Sequence, residues 1–276
     1  MPTLDLPKTR IAPTRIAPDT FLVHNHAGEG TAPVSVALNS MVIRGREPVV
    51  VDTGAREHEA TFLADVFGLV EPDDVRWIVI SHDDVDHTGN LNALAAAAPN
   101  ATIVIDWFMA ERMGASLEVS PLRWRWMVDG ERLDVGDREL VLVRPPIFDS
   151  PTSRGVFDPT TGVYWAADAF ATPMPTPVSD VAEIDRTVWT EGMATFNQYI
   201  SPWLMLADEA RFQQTVDRIA ALDPVAIAGC HTPVVRERHV ADAISITRGT
   251  RGVSVPPQPD QAVLDQIQLT LGAIAA

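Results

Sequence analysis

The spacing of apolar positions predicts short strands interleaved with helices along most of the chain. Strands are expected at residues 21–25, 34–44 and 48–51, the last two joined by a hairpin around Gly45-Arg46-Glu47. Residues 57–67 carry the spacing of an amphipathic helix. The continuous apolar run 75–80 reads as a buried strand. A helix at 91–98 is stopped by Pro99-Asn100, and a strand at 102–105 and a helix at 107–113 follow. Beyond Leu122 the texture changes. Short strands at 124–128, 132–135 and 139–143 are separated by Asp129-Gly130 and Gly136-Asp137, which are hairpin-type turns. Strands at 155–157 and 162–166 flank Asp158-Pro159-Thr160-Thr161. Helices are expected at 181–199, 208–222 and 237–246, with a last strand at 225–228. A final apolar helix at 261–274 is expected to dock on the body or on a neighbouring subunit. Two similar halves of strands with inserted helices suit an α+β fold, two packed sheets with helices outside.

The first residues hold a tandem repeat, Thr9-Arg10-Ile11-Ala12-Pro13 followed by Thr14-Arg15-Ile16-Ala17-Pro18. Five residues twice is too short for a solenoid, and the prolines suggest an extended segment packed along the domain edge. The expected division is an N-terminal arm (1–19), one domain (20–250) and a C-terminal linker and helix (251–276). A chain of 276 residues with 46% hydrophobic content can bury a large core. Its net charge of −16 argues against nucleic acid and anionic membranes as partners. A single cysteine excludes an intrachain disulfide. Met1-Pro2-Thr3-Leu4-Asp5 has no apolar signal region, and no stretch approaches the roughly 20 apolar residues of a membrane span. The expected location is cytoplasmic.

Candidate chemistry is concentrated in Ser81-His82-Asp83-Asp84-Val85-Asp86-His87-Thr88-Gly89-Asn90, directly after the buried strand 75–80. Two histidines and three acids crowd a short turn, and a bound cation would offset the repulsion of the carboxylates. Residues at i, i+2, i+4 and i+5 place His82, Asp84, Asp86 and His87 around one cavity. The bland alternative is a solvated acidic turn in which Asp83 or Asp84 caps the next helix. Asp168 and His231 each follow an apolar strand and are candidate ligands; Asp168 could equally pair with a base. Asp149, in Ile147-Phe148-Asp149-Ser150, is a ligand or a turn residue. His24 and His26 either join the site or sit in a surface loop. His58 and His239 read as helix-surface residues, and Cys230 as core packing.

Together these residues resemble the metallo-β-lactamase superfamily, whose signature is His-x-His-x-Asp-His with a later His, an Asp and a final His. Asp52-Thr53-Gly54 matches its early strand-end aspartate, and Gly89-Asn90 the start of its following helix. The resemblance implies an αββα sandwich with the site at one edge. Asp84 stands where the hydrolases carry a second His. An acid there is similar to the flavodiiron branch and its shorter oxygen-binding diiron relatives, which have His-x-Glu-x-Asp-His. The segment Phe196-Asn197-Gln198-Tyr199-Ile200 also resembles that branch. The resemblance implies one metal on His82, Asp84 and a group near Asp149, a second on Asp86, His87 and His231, and Asp168 as the bridge. Two Fe ions are implied, with Mn or Zn as alternatives; carboxylate in place of imidazole favours the harder metals. Two departures stand out. Asp84 is one methylene shorter than Glu, and Pro146 falls where the branch has a middle histidine, which makes Asp149 the nearest substitute.

The function so implied is a non-haem diiron protein binding or reducing O₂ or NO. Nothing after residue 246 is long enough for a flavodoxin domain, so no flavin is expected on this chain and electrons are expected from a separate donor. A homodimer is expected from the branch. The alternative is a metal-dependent hydrolase of an ester, lactone or thioester, with Asp86 orienting a metal-bound hydroxide. A third reading is a degenerate binding module with a weakened first metal position. Trp107, Trp124, Trp126, Trp189 and Trp203 are core residues or line the pocket mouth, and the proline-rich stretch 171–177 is a loop over the site.

Overall fold

The computed structural model describes residues 9–29, 34–255 and 257–274. The first eight residues of the expected arm lie outside them. The described chain opens on strand β1 (Thr14–Ala17), which turns into antiparallel β2 (Thr20–Val23). A small ladder, β3 (His26–Ala27) with β4 (Val36–Ala37), precedes β5 (Ser40–Ile43) and β6 (Val49–Val51). Helix α1 (Glu59–Leu69) leads to β7 (Trp77–Val79). The acidic run then folds into one helical turn, α2 (Val85–Thr88), followed by α3 (Leu91–Ala97), β8 (Thr102–Ile105), α4 (Trp107–Met113) and β9 (Trp124–Trp126). These strands form a seven-stranded sheet of order β1-β2-β5-β6-β7-β8-β9, parallel from β6 onward.

The second sheet starts as an antiparallel meander of β10 (Arg132–Asp134), β11 (Glu139–Val143), β12 (Gly155–Asp158) and β13 (Val163–Trp165). Helices α5 (Arg186–Ile200) and α6 (Glu209–Ala220) intervene before β14 (Ala226–Gly229), which pairs parallel to β13. Edge strand β15 (Thr232–Arg236) completes the order β10-β11-β12-β13-β14-β15. Helix α7 (Arg238–Gly249) follows, and α8 (Gln261–Ile274) ends the described chain.

Burial explains the layers. Val49, Val50 and Val51 are all buried because their sheet is covered on both faces. Side chains alternate along a strand. Val49 and Val51 therefore join Met41, Val79 and Val104 in packing on Leu133, Leu142, Val163 and Trp165 of the second sheet. Val50 faces outward with Ile78 and Ile103, under Phe62 of α1, Leu94 of α3 and Met109 of α4. On the far side Tyr164 and Ile227 pack on Trp189, Met193, Phe212 and Val240. The architecture is the expected αββα sandwich.

The elements differ from expectation where long-range bonds override local pattern. Residues 34–44 are not one strand. They break at Leu38-Asn39, because the Leu38 N–H donates to the Asn25 carbonyl while Asn39 Nδ2 donates to the Gly229 and Thr232 carbonyls. Residues 14–17 of the repeat form the edge strand of the first sheet. Strand β15 escaped the sequence pattern because it contains Pro233, tolerated at a sheet edge. The helix expected from 181 begins at Arg186, where Asp185 accepts from the Thr187 and Val188 N–H groups as its cap. Helix α8 is not docked on the body: Val263, Leu264, Ile267 and Leu269 are exposed. Among the described residues no helix is long and apolar enough to cross a membrane.

Candidate metal centre

Parallel neighbours deliver their C-terminal ends to the same edge of a sheet, and the candidate ligands gather there. Asp52 follows β6, His82 follows β7, Asp168 follows β13, and His231 sits in the turn between β14 and β15. Helix α2 adds Asp86 and His87, and the loop between β11 and β12 adds Asp149. Helix α2 is seated by the Asp52-Thr53-Gly54 turn. The Thr53 N–H donates to the His87 carbonyl at 2.8 Å, and Asn90 Nδ2 donates to the Thr53 and Ala55 carbonyls at 2.6 and 3.1 Å. The approach is so close that a Cβ at Gly89 would stand 2.5 Å from the Arg56 nitrogen and 2.6 Å from the Gly54 oxygen, so only glycine fits.

The hydrogen bonds behind the three imidazoles fix which nitrogen faces inward. Buried Asp52 accepts from the Ser81 N–H (2.7 Å), the Ser81 hydroxyl (2.8 Å), His87 Nδ1 (2.9 Å) and Trp165 Nε1 (2.9 Å). A carboxylate only accepts, so His87 carries its proton on Nδ1. Ser81 spends its one proton on Asp52, so its oxygen accepts from His82 Nδ1 at 3.1 Å. His231 Nδ1 donates to the Ala37 carbonyl at 2.8 Å. All three rings therefore turn an Nε2 lone pair toward the cluster. This is the arrangement by which metal-binding histidines are oriented by their outer partners.

Four carboxylates meet those lone pairs. Asp168 Oδ1 lies 2.9 Å from His87 Nε2 and 3.3 Å from His231 Nε2, while its Oδ2 lies 3.1 Å from His82 Nε2. Asp86 Oδ2 lies 3.2 Å from His231 Nε2 and 3.9 Å from His87 Nε2. Asp84 and Asp149 each bring an oxygen to 3.8 Å from His82 Nε2. The Asp168 contacts lack hydrogen-bond geometry: His82 Nε2, His87 Nε2 and Asp168 Oδ1 are buried with no hydrogen-bond partner. Buried polar atoms are rarely left so, and a cation on these donors satisfies them.

The carboxylates and imidazoles of the cluster shift one another strongly, and a cation would take the place of the protons that the imidazoles otherwise hold. Burial works to raise the Asp168 pKa, yet His82, His87 and His231 hold it well below the usual carboxylate range. Burial also opposes protonation of His87, but Cys230, Asp168 and Asp52 raise its pKa well above the ordinary value. Asp86 is brought down to about 2, against its burial, by His231 and His87. Asp149 goes the other way, up to about 6, through burial and the Asp168 carboxylate.

Every residue expected at the site lies in three overlapping donor groups: His82, Asp84 and Asp149; His82, His87 and Asp168; and Asp86, His87, Cys230 and His231. Within each group one ligand atom per residue lies within 4.8 Å of the others. Asp84 occupies the cap position of α2 but makes no capping bond. Asp83 is structural. It accepts from Arg112 Nε at 2.5 Å and from the Thr152 hydroxyl at 2.7 Å, tying the acidic run to the loop that carries Asp149. That loop is anchored again where Ser201 and Trp203 Nε1 donate to the Phe148 carbonyl at 3.0 and 2.7 Å.

Other candidates fall elsewhere. Pro146 lines a separate surface pocket with Phe148 and Trp203. His24 and His26 line a cavity with Arg10, Glu29, His58 and Thr61, outside the three donor groups. Against expectation His58 is buried, and His239 stacks edge-on against Trp189 at 5.5 Å. Trp189 is core, while Trp107 and Trp126 are exposed. The loop after Asp168 is held down, with Thr172 N–H donating to the His231 carbonyl and Met174 paired to Ser35. The resemblance matches Asp52 to the superfamily's early strand-end aspartate without placing it at the site, and Ser81 carries no expectation. The signal for Asp52 was present, because it is a strand-end acid just as Asp168 is.

An αββα sandwich with three imidazoles and four carboxylates gathered at one edge defines a protein of the metallo-β-lactamase fold with a candidate metal centre. More narrowly, residues 36–232 match the model for the ODP family beta lactamase, and the chain belongs to that family. It is 32% identical over 133 residues to the putative diflavin flavoprotein A 1 of Nostoc sp., a match covering 48% of this chain and 23% of the relative. The flavodiiron protein from Giardia intestinalis superposes with a TM-score of 0.74 at 17% identity, covering 89% of this chain and 60% of that one. Rubredoxin oxygen:oxidoreductase from Desulfovibrio gigas gives 0.72 at 17% identity, with 87% and 60% covered. The chain thus spans 23% of the curated relative and 60% of each of the two solved structures.

Proposed function

We propose that the protein is a non-haem diiron oxidoreductase that binds or reduces O₂ or NO with electrons from a separate donor. The observation that carries this reading is a set of buried donor atoms that touch one another as ion pairs but, among the described residues, make no hydrogen bond. His82 Nε2, His87 Nε2 and Asp168 Oδ1 point into one cluster, with each histidine locked in its ligating tautomer. His82, Asp84 and Asp149 would hold one ion, and Asp86, His87 and His231 the other. Asp168 would serve both, since its two oxygens face different histidines. The carboxylate share of the donors favours iron or manganese over zinc. Bound iron supplies the electrons that a diatomic ligand accepts.

The protein residues supply position, charge and access. The four carboxylates lower the net charge of an oxidised ion pair. The outer bonds of Asp52, Ser81 and the Ala37 carbonyl keep the imidazoles from turning. The buried stretch beyond Asp168 is tied to His231, whose carbonyl accepts from the Thr172 N–H. The side chains of Asp84, Asp149 and Asp86 are 44%, 28% and 26% exposed against 3% for Asp168, so the cluster opens to a small ligand on the side of those three. The names of the similar proteins, one flavodiiron and one oxygen:oxidoreductase, support the same reading.

The test is anaerobic reconstitution with iron, manganese or zinc, followed by O₂ and NO uptake with a chemical reductant. Uptake dependent on iron and reductant is expected. Turnover of a lactone or thioester with no reductant, at stoichiometric zinc, would replace this reading with the hydrolytic one.

A further inference from the structure

We propose that Cys230 is a metal ligand, its thiolate completing with Asp86, His87 and His231 a four-donor set at one of the two metal positions. The inference rests on the metal reading above and deepens it, because that reading uses only three of these residues at that position. It also replaces the view of Cys230 as core packing alone.

The first observation is geometric. Asp86, His87, Cys230 and His231 each offer a ligand atom within 4.8 Å of the other three. Around an ion that also takes Asp168, with bonds of ~2.0 Å to nitrogen and ~2.3 Å to sulfur, neighbouring donors stand roughly 3–3.5 Å apart. A contraction of about an ångström brings the four atoms to that spacing. The second observation is independent of the cysteine. His87 Nε2 is fully buried, lacks a hydrogen-bond partner and faces this set. The Cys230 side chain packs in the core between the sheets, and its sulfur is turned to the cluster: the Asp86 carbonyl lies 4.0 Å away, and the sulfur is within reach of the His231 side chain.

The backbone explains how two consecutive residues reach one cation. Along a regular strand their side chains would point to opposite faces. Here the pairing of β14 with β15 shifts register between Ile227 and Gly229, which breaks the alternation before the turn. The turn is fixed from both sides: the Cys230 N–H donates to the Ala167 carbonyl at 2.9 Å, and the Cys230 carbonyl accepts from the Asn39 N–H at 2.9 Å. Gly229 lets Ala167 come this near, since a Cβ there would stand 2.7 Å from the Ala167 oxygen.

Binding replaces the S–H bond with a sulfur–metal bond, and the proton leaves to solvent. The two metal positions then differ in kind. Thiolate and two imidazoles make the Cys230 position soft, suited to zinc or iron. His82 with Asp84 and Asp149 makes the other hard, suited to iron or manganese.

The chain has one cysteine, so any sulfur-to-metal charge transfer comes from Cys230. The experiment is a titration of the metal-free full chain with Co(II), followed by absorption. A near-ultraviolet sulfur-to-cobalt band is expected in the unmodified protein beside the visible d–d bands. Cys230→Ser and Cys230→Ala are expected to lose the first and keep the second. Cobalt bound with d–d bands alone in the unmodified protein overturns the thiolate ligand while leaving the metal reading intact. Failure to bind cobalt, iron or zinc at all overturns both. The deciding spectrum is that of the unmodified chain, so a variant that fails to fold leaves the test in force.

Discussion

Oδ2 of Asp52 lies 2.9 Å from Nδ1 of His87, and the same oxygen lies 2.9 Å from the indole nitrogen of Trp165. Asp52 ends a strand of the first sheet and Trp165 belongs to the second. One buried carboxylate thus holds a candidate ligand in its tautomer and registers the two sheets at the cluster. Asp52→Asn keeps the shape but turns an amide N–H₂ toward a donor. Metal affinity is expected to fall roughly 10–100-fold, the usual loss when an outer partner of a ligand is removed, measured by competition with a chromophoric chelator. Asp52→Ala leaves three N–H donors buried without an acceptor and is expected to cost about 3 kcal/mol or more in urea unfolding. Unchanged affinity in Asp52→Asn would mean that His87 is not a ligand.

Asp149 and Asp84 stand at the same 3.8 Å from His82 Nε2, one from the β11–β12 loop and one from the cap of α2. Asp149→Ala is expected to lower metal content from two ions per chain toward one, read by elemental analysis after dialysis. Asp84→Glu restores the longer reach and is expected to tighten the same position. Two retained ions in Asp149→Ala would remove Asp149 from the ligand set.

Trp203 and Ser201 place Asp149 at a distance, through the Phe148 carbonyl. Trp203→Phe keeps the ring packed on Phe148, 4.8 Å between centroids, and loses only the N–H. The expected cost is about 1 kcal/mol of stability. Affinity at the first position should weaken with the second unchanged, a split that titration calorimetry resolves.

His24 and His26 give the molecule an acid-sensitive flank. Burial, helped by His26 and Arg10, lowers the His24 pKa to about 4, against a hydrogen bond with the Asn39 side chain that favours the protonated ring. Burial, helped by His58, lowers that of His26 to about 4, against the charge of Glu29. Both values lie below the ordinary 6.5, so the unfolded chain binds more protons. Their contribution is fully present above about pH 6.5 and is lost as pH falls toward 4. Melting temperatures of the protein and of His24→Gln and His26→Gln, compared at both ends of that window, should show a shallower acid limb in each variant. Identical limbs would contradict the sign.

Much of the metal centre was legible in the chain because ligands must be chemically distinctive. His82, Asp84, Asp86 and His87 sit within six residues, and Asp168 and His231 each close an apolar strand. The strands and helices of the sandwich were legible for a similar reason, since Val49–Val51 and its neighbours are apolar on both faces only when covered on both. Asp83 shows the limit. In sequence it is one more acid of the run, and in space it is an anchor for Arg112 and Thr152.

The sequence by itself determined the chemical types available and the elements that present them, because propensity and periodicity act over a few residues. Only the tertiary structure decided which groups meet. It excluded His24 and His26 from the cluster and brought Cys230 to within 4.8 Å of His87. It also gave Asp52 and Ser81 their outer-partner roles. These outcomes depend on contacts across 29 to 113 residues of chain, such as Asp52 with Ser81 and with Trp165. Packing two sheets fixes contacts of that span, and no local pattern encodes them.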